Sequence, residues 1–295
     1  MDLHELQAEL TDYRHDPVLL AATNLLRRAE ALDFLTFLHD VLRMERQRTP
    51  VVQTLYQQAL QLQEQLTAVN TGLFAQMRTA VQRGALTGAV LRHYLDQFTD
   101  YSPNRPDCVY MSYDGLDVLV DGLFQLKSAP AATLETTVEM VHCEETPARV
   151  LLDLIDHAPM TPADVFYDLG SGLGQVVLLV HLLTGVRAKG VEIEPAFCAF
   201  AQQQAQALGL TDVAFINSDA RTANYSDGTV FFMFTPFRGQ LMQQVLVRLQ
   251  QEAQQRPIRL CTFGSCTPRV ADQPWLRPVS PDARHEYKLV IFESR

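Results

Sequence analysis

Between Pro17 and Arg48 the apolar residues Leu19, Leu20, Leu25, Leu26, Ala29, Leu32, Leu35, Leu38, Val41 and Leu42 recur at steps of three and four. That period predicts an amphipathic helix or a broken pair. Thr49-Pro50 punctuates the pattern, proline being acceptable at the first helical position. A glutamine-rich helix follows, with Leu55, Leu62 and Leu66 inward and Gln53, Gln57, Gln61 and Gln65 solvated. Two shorter helices, at about 71–83 and 86–98, complete a helical N-terminal domain. Tyr101-Ser-Pro-Asn-Arg-Pro-Asp is turn chemistry and predicts a linker. Val109 to Phe124 reads two ways. Asp114-Gly115 would close a hairpin, whereas Leu116, Leu119, Val120, Leu123 and Phe124 fit a helix, which is the favoured reading.

From residue 146 the pattern alternates. Thr146 as N-cap and Pro147 as first helical residue predict a helix over about 147–157. Val165, Phe166 and Tyr167 form a β-prone run ending on Asp168, the Gly170, Gly172, Gly174 loop feeds an apolar helix over Val176 to Leu183, and Ala188 to Ile193 is β-prone again. This is a βαβ unit. Pro195 opens a helix that Gly209 closes, and Asp212-Val-Ala-Phe-Ile-Asn is a third strand. Asp227-Gly228 turns into Thr229 to Phe234, an unbroken apolar run suited to a strand covered on both faces. Arg259 to Phe263 and Tyr287 to Glu293 bracket an irregular segment containing Trp275 and predict a closing antiparallel hairpin. The expected organisation is a helical domain over 1–105, a connecting or lid segment over 106–145, and an α/β domain over 146–295.

Composition narrows the setting. With 47% hydrophobic and 20% charged residues, 295 residues allow one or two ordinary globular cores. No apolar run approaches a membrane span, and the opening Met-Asp-Leu-His-Glu-Leu lacks a signal peptide's basic and apolar regions, so no membrane partner is expected. Cys108, Cys143, Cys198, Cys261 and Cys266 are odd in number without a Cys-x-x-Cys pair, which points to a reducing, cytoplasmic setting. His142, His157, His181 and His285 show no metal spacing, so no metal is expected. A formal net charge of −10 argues against a nucleic-acid partner, and Arg43, Arg46 and Arg48 read as a solvated helix face.

The glycine loop carries the chemistry. Its glycines let the backbone turn and bring a ligand against a helix N-terminus. A dinucleotide fingerprint needs its third glycine or an alanine where Gln175 stands, yet here that glycine comes one position early and Asp168 sits two residues before the first. A carboxylate there repels a pyrophosphate but suits a phosphate-free ligand with a cationic amino-acid end, and S-adenosylmethionine is such a ligand. Glu192, ending the second strand, is placed for ribose hydroxyls.

The segment resembles the class I S-adenosylmethionine-dependent methyltransferases over roughly residues 140 to 295. Asp168-Leu-Gly-Ser-Gly-Leu-Gly-Gln-Val-Val with Gly190-Val-Glu is similar to the non-SET histone-lysine methyltransferases of the disruptor-of-telomeric-silencing type. The resemblance implies a Rossmann-like methyltransferase sheet behind an all-α N-terminal domain. It also implies cofactor contacts at Glu145, Thr146, Asp168, Gly170, Ser171, Gly172, Gly174, Gln175, Glu192, Asp219 and Ala220, with Asp219 accepting from the adenine amine. In that family a Gly-Glu-Thr loop touches the methionine end. This chain has Glu144-Glu145-Thr146, so the glycine is missing. Nitrogen methyltransferases carry Asp/Asn-Pro-Pro-aromatic after the fourth strand, and the lysine family Asn-Asn-Phe. Thr235-Pro236-Phe237 keeps the proline and aromatic only, so Thr235 and Phe237 are the candidate acceptor-end residues. The implied activity is N-methylation of a protein lysine, with small-molecule N- or O-methylation and a non-catalytic S-adenosylmethionine-binding scaffold as alternatives. The N-terminal helices and residues 101–145 are expected to form one wall of the acceptor site.

Overall fold

The computed structural model describes residues 2–45, 49–98, 115–135 and 137–295. The expected linker at 101–107, Cys108, the arm at 109–114, and Arg46 and Arg48 lie outside them.

The N-terminal layer begins with α1 (Leu3–His15), α2 (Leu25–Met44) and α3 (Pro50–Gln82). Helical periodicity from Pro17 becomes helix only at Leu25, and residues 17–23 are turns and a bend. Arg28 explains the arrangement. Its fully buried guanidinium donates to the carbonyls of Leu19, Ala21 and Ala22 and to Oδ1 of Asn70, so these turns are satisfied by a cation and tied to α3. The break expected near residue 71 does not occur. α3 runs through Gly72 as one helix of 33 residues. A glycine inside a helix costs about 1 kcal/mol, and burial of Leu66, Leu73, Met77 and Val81 on the same helix offsets it.

α1, α2 and the first half of α3 enclose one core. The second half of α3, with α4 (Gly88–Leu95) and α5 (Gly115–Phe124), shares a different core with the α/β half. There α6 (Ala148–His157) and α7 (Gln175–Thr184) pack between those helices and the sheet, and α7 is apolar nearly all round because it is covered on every side.

Seven strands, β1 (Val165–Leu169), β2 (Arg187–Glu192), β3 (Val213–Asn217), β4 (Val230–Phe234), β5 (Arg259–Phe263), β6 (Leu276–Pro278) and β7 (Val290–Ser294), form one sheet in the order β3-β2-β1-β4-β5-β7-β6. β1 to β5 are parallel, and β7 runs antiparallel to both its neighbours. Side chains alternate between two buried faces: Val230 and Phe232 join the core with α7, whereas Phe231 and Met233 join a second core with α9 (Gly239–Ala253). α8 (Pro195–Ala207) follows β2 as expected, while α10 (Thr267–Ala271) and β6 occupy the segment read as irregular. The architecture is the Rossmann-like sheet that the sequence predicts. No described helix is long and apolar enough to cross a membrane.

Candidate active site

In a parallel sheet whose connections leave in opposite directions from β1, a crevice opens at the carboxyl ends of the strands. The loops after β1, β2, β3 and β4 meet there around a cavity of about 300 Å³. Every sequence-predicted site residue but one lines it: Glu145, Thr146, Asp168, Gly170, Ser171, Gly172, Gln175, Glu192, Asp219, Ala220, Thr235 and Phe237, whereas Gly174 closes the loop beneath at the start of α7.

The glycine loop is fixed from below and from the side. Gly170 and Ser171 donate their N–H groups to the Val191 carbonyl at 2.8 and 3.1 Å, and Gly172 donates to Glu192 Oε2 at 2.8 Å. Gly170 has φ +82°, and a Cβ there would lie 2.4 Å from Pro236 Cβ, so the loops after β1 and β4 touch only because this residue has no side chain. At Gly174, φ +86°, a Cβ would meet the Phe215 ring at 2.6 Å and Ala201 Cβ at 2.7 Å. This glycine therefore lets the loop pack on α8 and β3.

Asp168 is the electrostatic centre. It is 3% exposed, and burial beside Glu192 pushes its carboxyl from 3.8 up to about 8. Burial also raises Glu192, whose Oε1 accepts from Glu194 N and whose Oε2 accepts from Gly172 N, both at 2.8 Å. Ser171 Oγ and both amide atoms of Gln175 are buried without a partner. Buried polar atoms without a partner are costly, and here they gather around a cavity. A ligand with a cation for Asp168 and polar groups for Ser171 and Gln175 fits this donor and acceptor set. Asp219 sits at the β3 end, its two oxygens held by the Arg221 guanidinium and backbone N–H, which keep its carboxyl below the usual range.

Three corrections emerge. Thr146 does not cap α6: the helix starts at Ala148, no side chain of its own caps it, and the Ala148 N–H is taken by Asp117 of α5 at 2.7 Å. Thr146 is left among the residues lining the cleft. Thr235, in the left-handed region at φ +40°, directs its hydroxyl to the Phe263 carbonyl and receives the Cys266 N–H, each at 3.4 Å, so that hydroxyl is turned into the β5 loop. And the cleft lining begins at Ala132; among the described residues, α1 to α5 contribute none of it. Of the wall expected from the N-terminal helices and residues 101–145 together, the cleft is lined by the second part alone, a strap over 132–146, Thr136 lying outside the described residues.

Two carboxylates fasten that strap, and the sequence reading missed both. Glu194 caps α8 through Ala196 N and also accepts from Thr133 N, Thr133 Oγ1 and Leu134 N, which hold its carboxyl down at about 2. Glu139 accepts from Gln240 and Leu241 N–H at the start of α9, where Gly239 at φ +57° leaves room for it. Both place negative charge at helix N-termini. The Glu194-Pro195 pair was a legible cap signal; its partners some 60 residues away were not. Cys143, on the strap, sits over Gly172 at the cleft mouth, and its thiol is pushed up to about 11 by dehydration and by Glu192, Glu145 and Asp168.

Two kinds of surface result. Glu144, Glu145, Asp168, Glu192, Glu194 and Asp219 make the cleft acidic, although burial keeps Asp168 protonated and Asp219 is paired with Arg221, and no Lys or Arg is among its described lining residues. At the β4 end the walls are Met140, Phe234, Pro236, Phe237 and Leu241, with Met140 bridging Phe237 across the backbone and Phe234 tilted on Phe263 at 5.1 Å. Among the described residues, no group of three or more His, Cys, Asp or Glu is gathered as a metal requires.

Residues 134–251 match the family model described as histone methylation protein DOT1. Among solved structures, an RNA methyltransferase from Salinibacter ruber in complex with S-adenosyl-L-homocysteine is 24% identical over 51% of this chain and 92% of its own, with a TM-score of 0.39. The ribosomal protein L11 methylase of Lactobacillus delbrueckii subsp. bulgaricus is 14% identical over 50% of this chain and 77% of its own, TM-score 0.40. A geranyl diphosphate C-methyltransferase from Streptomyces coelicolor A3(2) is 14% identical over 50% and 75%, TM-score 0.38. No curated protein sequence matches the chain.

Proposed function

We propose that this chain, an S-adenosylmethionine-dependent methyltransferase that resembles the DOT1 type, methylates the amine nitrogen of a protein lysine. The observation that carries the reading is the acidity of the cleft: six Asp and Glu side chains and no Lys or Arg are among the described residues lining a site whose reactants, on this account, are both cations in water. Such a cleft repels phosphate and concentrates ammonium groups.

The cofactor, when bound, supplies a methyl group on a cationic sulfonium. Asp168 is assigned to its ammonium end, because that buried carboxyl otherwise has to take up a proton. Glu145 and Thr146 border the same end, Glu192 serves the ribose hydroxyls, and Asp219 with Ala220 serves the adenine. Gly170, Gly172 and Gly174 allow close approach, and Ser171 and Gln175 provide unpaired polar atoms. In this reading the strap over 132–146 acts as a lid, held by Glu194 and Glu139.

At the acceptor end, Phe234 and Phe237 wall an apolar slot and Thr235 shapes its turn. Burial of an amine among such walls lowers its pKa and releases the neutral nucleophile without a dedicated base, and positioning of the two reactants supplies the rest of the rate. The Thr235 hydroxyl donates to Phe263 and accepts from Cys266 N–H, which leaves one lone pair for an amine N–H. A small cationic amine is the second reading, since the acidic lining suits it as well.

The test is to incubate the protein and methyl-labelled cofactor with a lysate of its own host, then separate macromolecules from small molecules. Label in protein, released by acid hydrolysis as methylated lysine, is the expected result. Label only in small molecules refutes the lysine reading, and cofactor binding without any transfer favours the scaffold.

A further inference from the structure

We infer that Asp117, outside the cleft, is a positioning residue that sets the Glu145-Thr146 corner for the amino-acid end of the cofactor; this rests on the methyltransferase reading above.

The first N–H groups of a helix have no partner within it. The common solution is a Ser or Thr just before the helix that folds its own hydroxyl back onto them. Thr146 stands where that would happen, and had it done so its side chain would turn towards α6. Instead, Asp117 Oδ1 accepts the Ala148 N–H at 2.7 Å, across 31 residues of sequence. Pro147 between them has no N–H to offer. With the helix start served from outside, Thr146, 4% exposed, is left among the residues lining the cleft beside Glu145.

The bond is suited to fixing a position. Asp117 is 5% exposed and Ala148 fully buried, so water does not compete for it. A carboxylate at a helix N-terminus is also favoured by the helix dipole. On the other side, α5 is anchored by Leu116, Leu119, Val120, Leu123 and Phe124, each completely buried in the core it shares with α6 and α7. Through this hydrogen bond the helical layer reaches the corner that carries Glu145 and Thr146. Asp117 is not among the residues lining the cleft.

Two ligands separate this role from general support. S-adenosylhomocysteine has the amino-acid end, and 5′-methylthioadenosine keeps the nucleoside and thioether without it. By calorimetry on the full chain, Asp117→Ala is expected to bind S-adenosylhomocysteine about tenfold more weakly, with 5′-methylthioadenosine within about twofold of wild type. Asp117→Asn, whose amide oxygen still accepts, is expected to restore most of the loss. Equal weakening of both ligands, or no change in either, overturns the inference. If Asp117→Ala does not fold, Asp117→Glu, which keeps the carboxylate but displaces it by one methylene, decides: weaker binding of S-adenosylhomocysteine with 5′-methylthioadenosine unchanged supports the role, and an equal change in both ligands, or in neither, refutes it. Should wild type bind neither ligand, the methyltransferase reading fails, and this inference with it.

Discussion

Binding of the cofactor should release a proton from Asp168. In the ligand-free chain this carboxyl is 3% exposed and titrates at about 8 rather than 3.8. At neutral pH the carboxyl is therefore mostly protonated, and a cationic ligand must displace the proton. Well below pH 8 the apparent affinity should rise about tenfold per pH unit, then level off as the carboxyl ionises by itself. The stability of the ligand-free protein runs the other way. The folded-state pKa lies above the unfolded one, so the native state holds the extra proton between about 4 and 8. Stability is full below that window and falls as pH rises through it, by up to about 1.4 kcal/mol per unit. Calorimetry with S-adenosylhomocysteine near pH 6.5, in two buffers of different ionisation enthalpy, counts the protons. Wild type should release close to one, and Asp168→Asn none, while binding more weakly at every pH and melting at a higher temperature than wild type near pH 8. A pH-independent wild-type affinity between about pH 6 and 8, or an unchanged proton count in Asp168→Asn, refutes this reasoning.

Glu192→Ala removes the acceptor for both Gly172 and Glu194 N–H, so it should abolish detectable cofactor binding and cost about 2–3 kcal/mol of stability in urea titrations. Gly170→Ala places a Cβ 2.4 Å from Pro236 at φ +82°, and should cost upwards of about 2 kcal/mol by the same measurement. Glu194→Ala should speed hydrogen exchange at Thr133 and Leu134, whose N–H groups it holds. Because the folded-state pKa of Glu194 is depressed to about 2 from 4.5, its stabilising effect is present above about pH 4.5 and lost as pH falls towards 2, so the variant should narrow the acid-side fall in melting temperature.

The parts of the site that were legible in the sequence are local. Asp168 and the glycine loop, Glu192 and Asp219 each end a strand that announces itself by a β-prone run, and a parallel sheet gathers strand ends whatever the rest of the chain does. Helix at Gly115–Phe124 was legible for a similar reason, since five apolar residues fall on one template. What was missed depends on partners distant in the chain. Asp117 supplants Thr146 as the cap of α6 because α5 packs there, and no pattern within residues 140–150 reports it. Glu139 and Glu194 fasten the strap across separations of about 60 to 100 residues. A separate helix was expected from about residue 71, but burial on either side of Gly72 carries α3 through. The Thr235 hydroxyl was a candidate for the acceptor on position alone, and only the fold shows it committed to the β5 loop.

The claim on which the rest depends is that the acidic cleft holds S-adenosylmethionine. Equilibrium dialysis of the full chain against labelled S-adenosylmethionine, with S-adenosylhomocysteine or NAD as competitor, tests it most directly. Saturable binding of about one molecule per chain, displaced by S-adenosylhomocysteine and untouched by NAD, is the predicted result. Tight NAD binding with no retention of S-adenosylmethionine would contradict it.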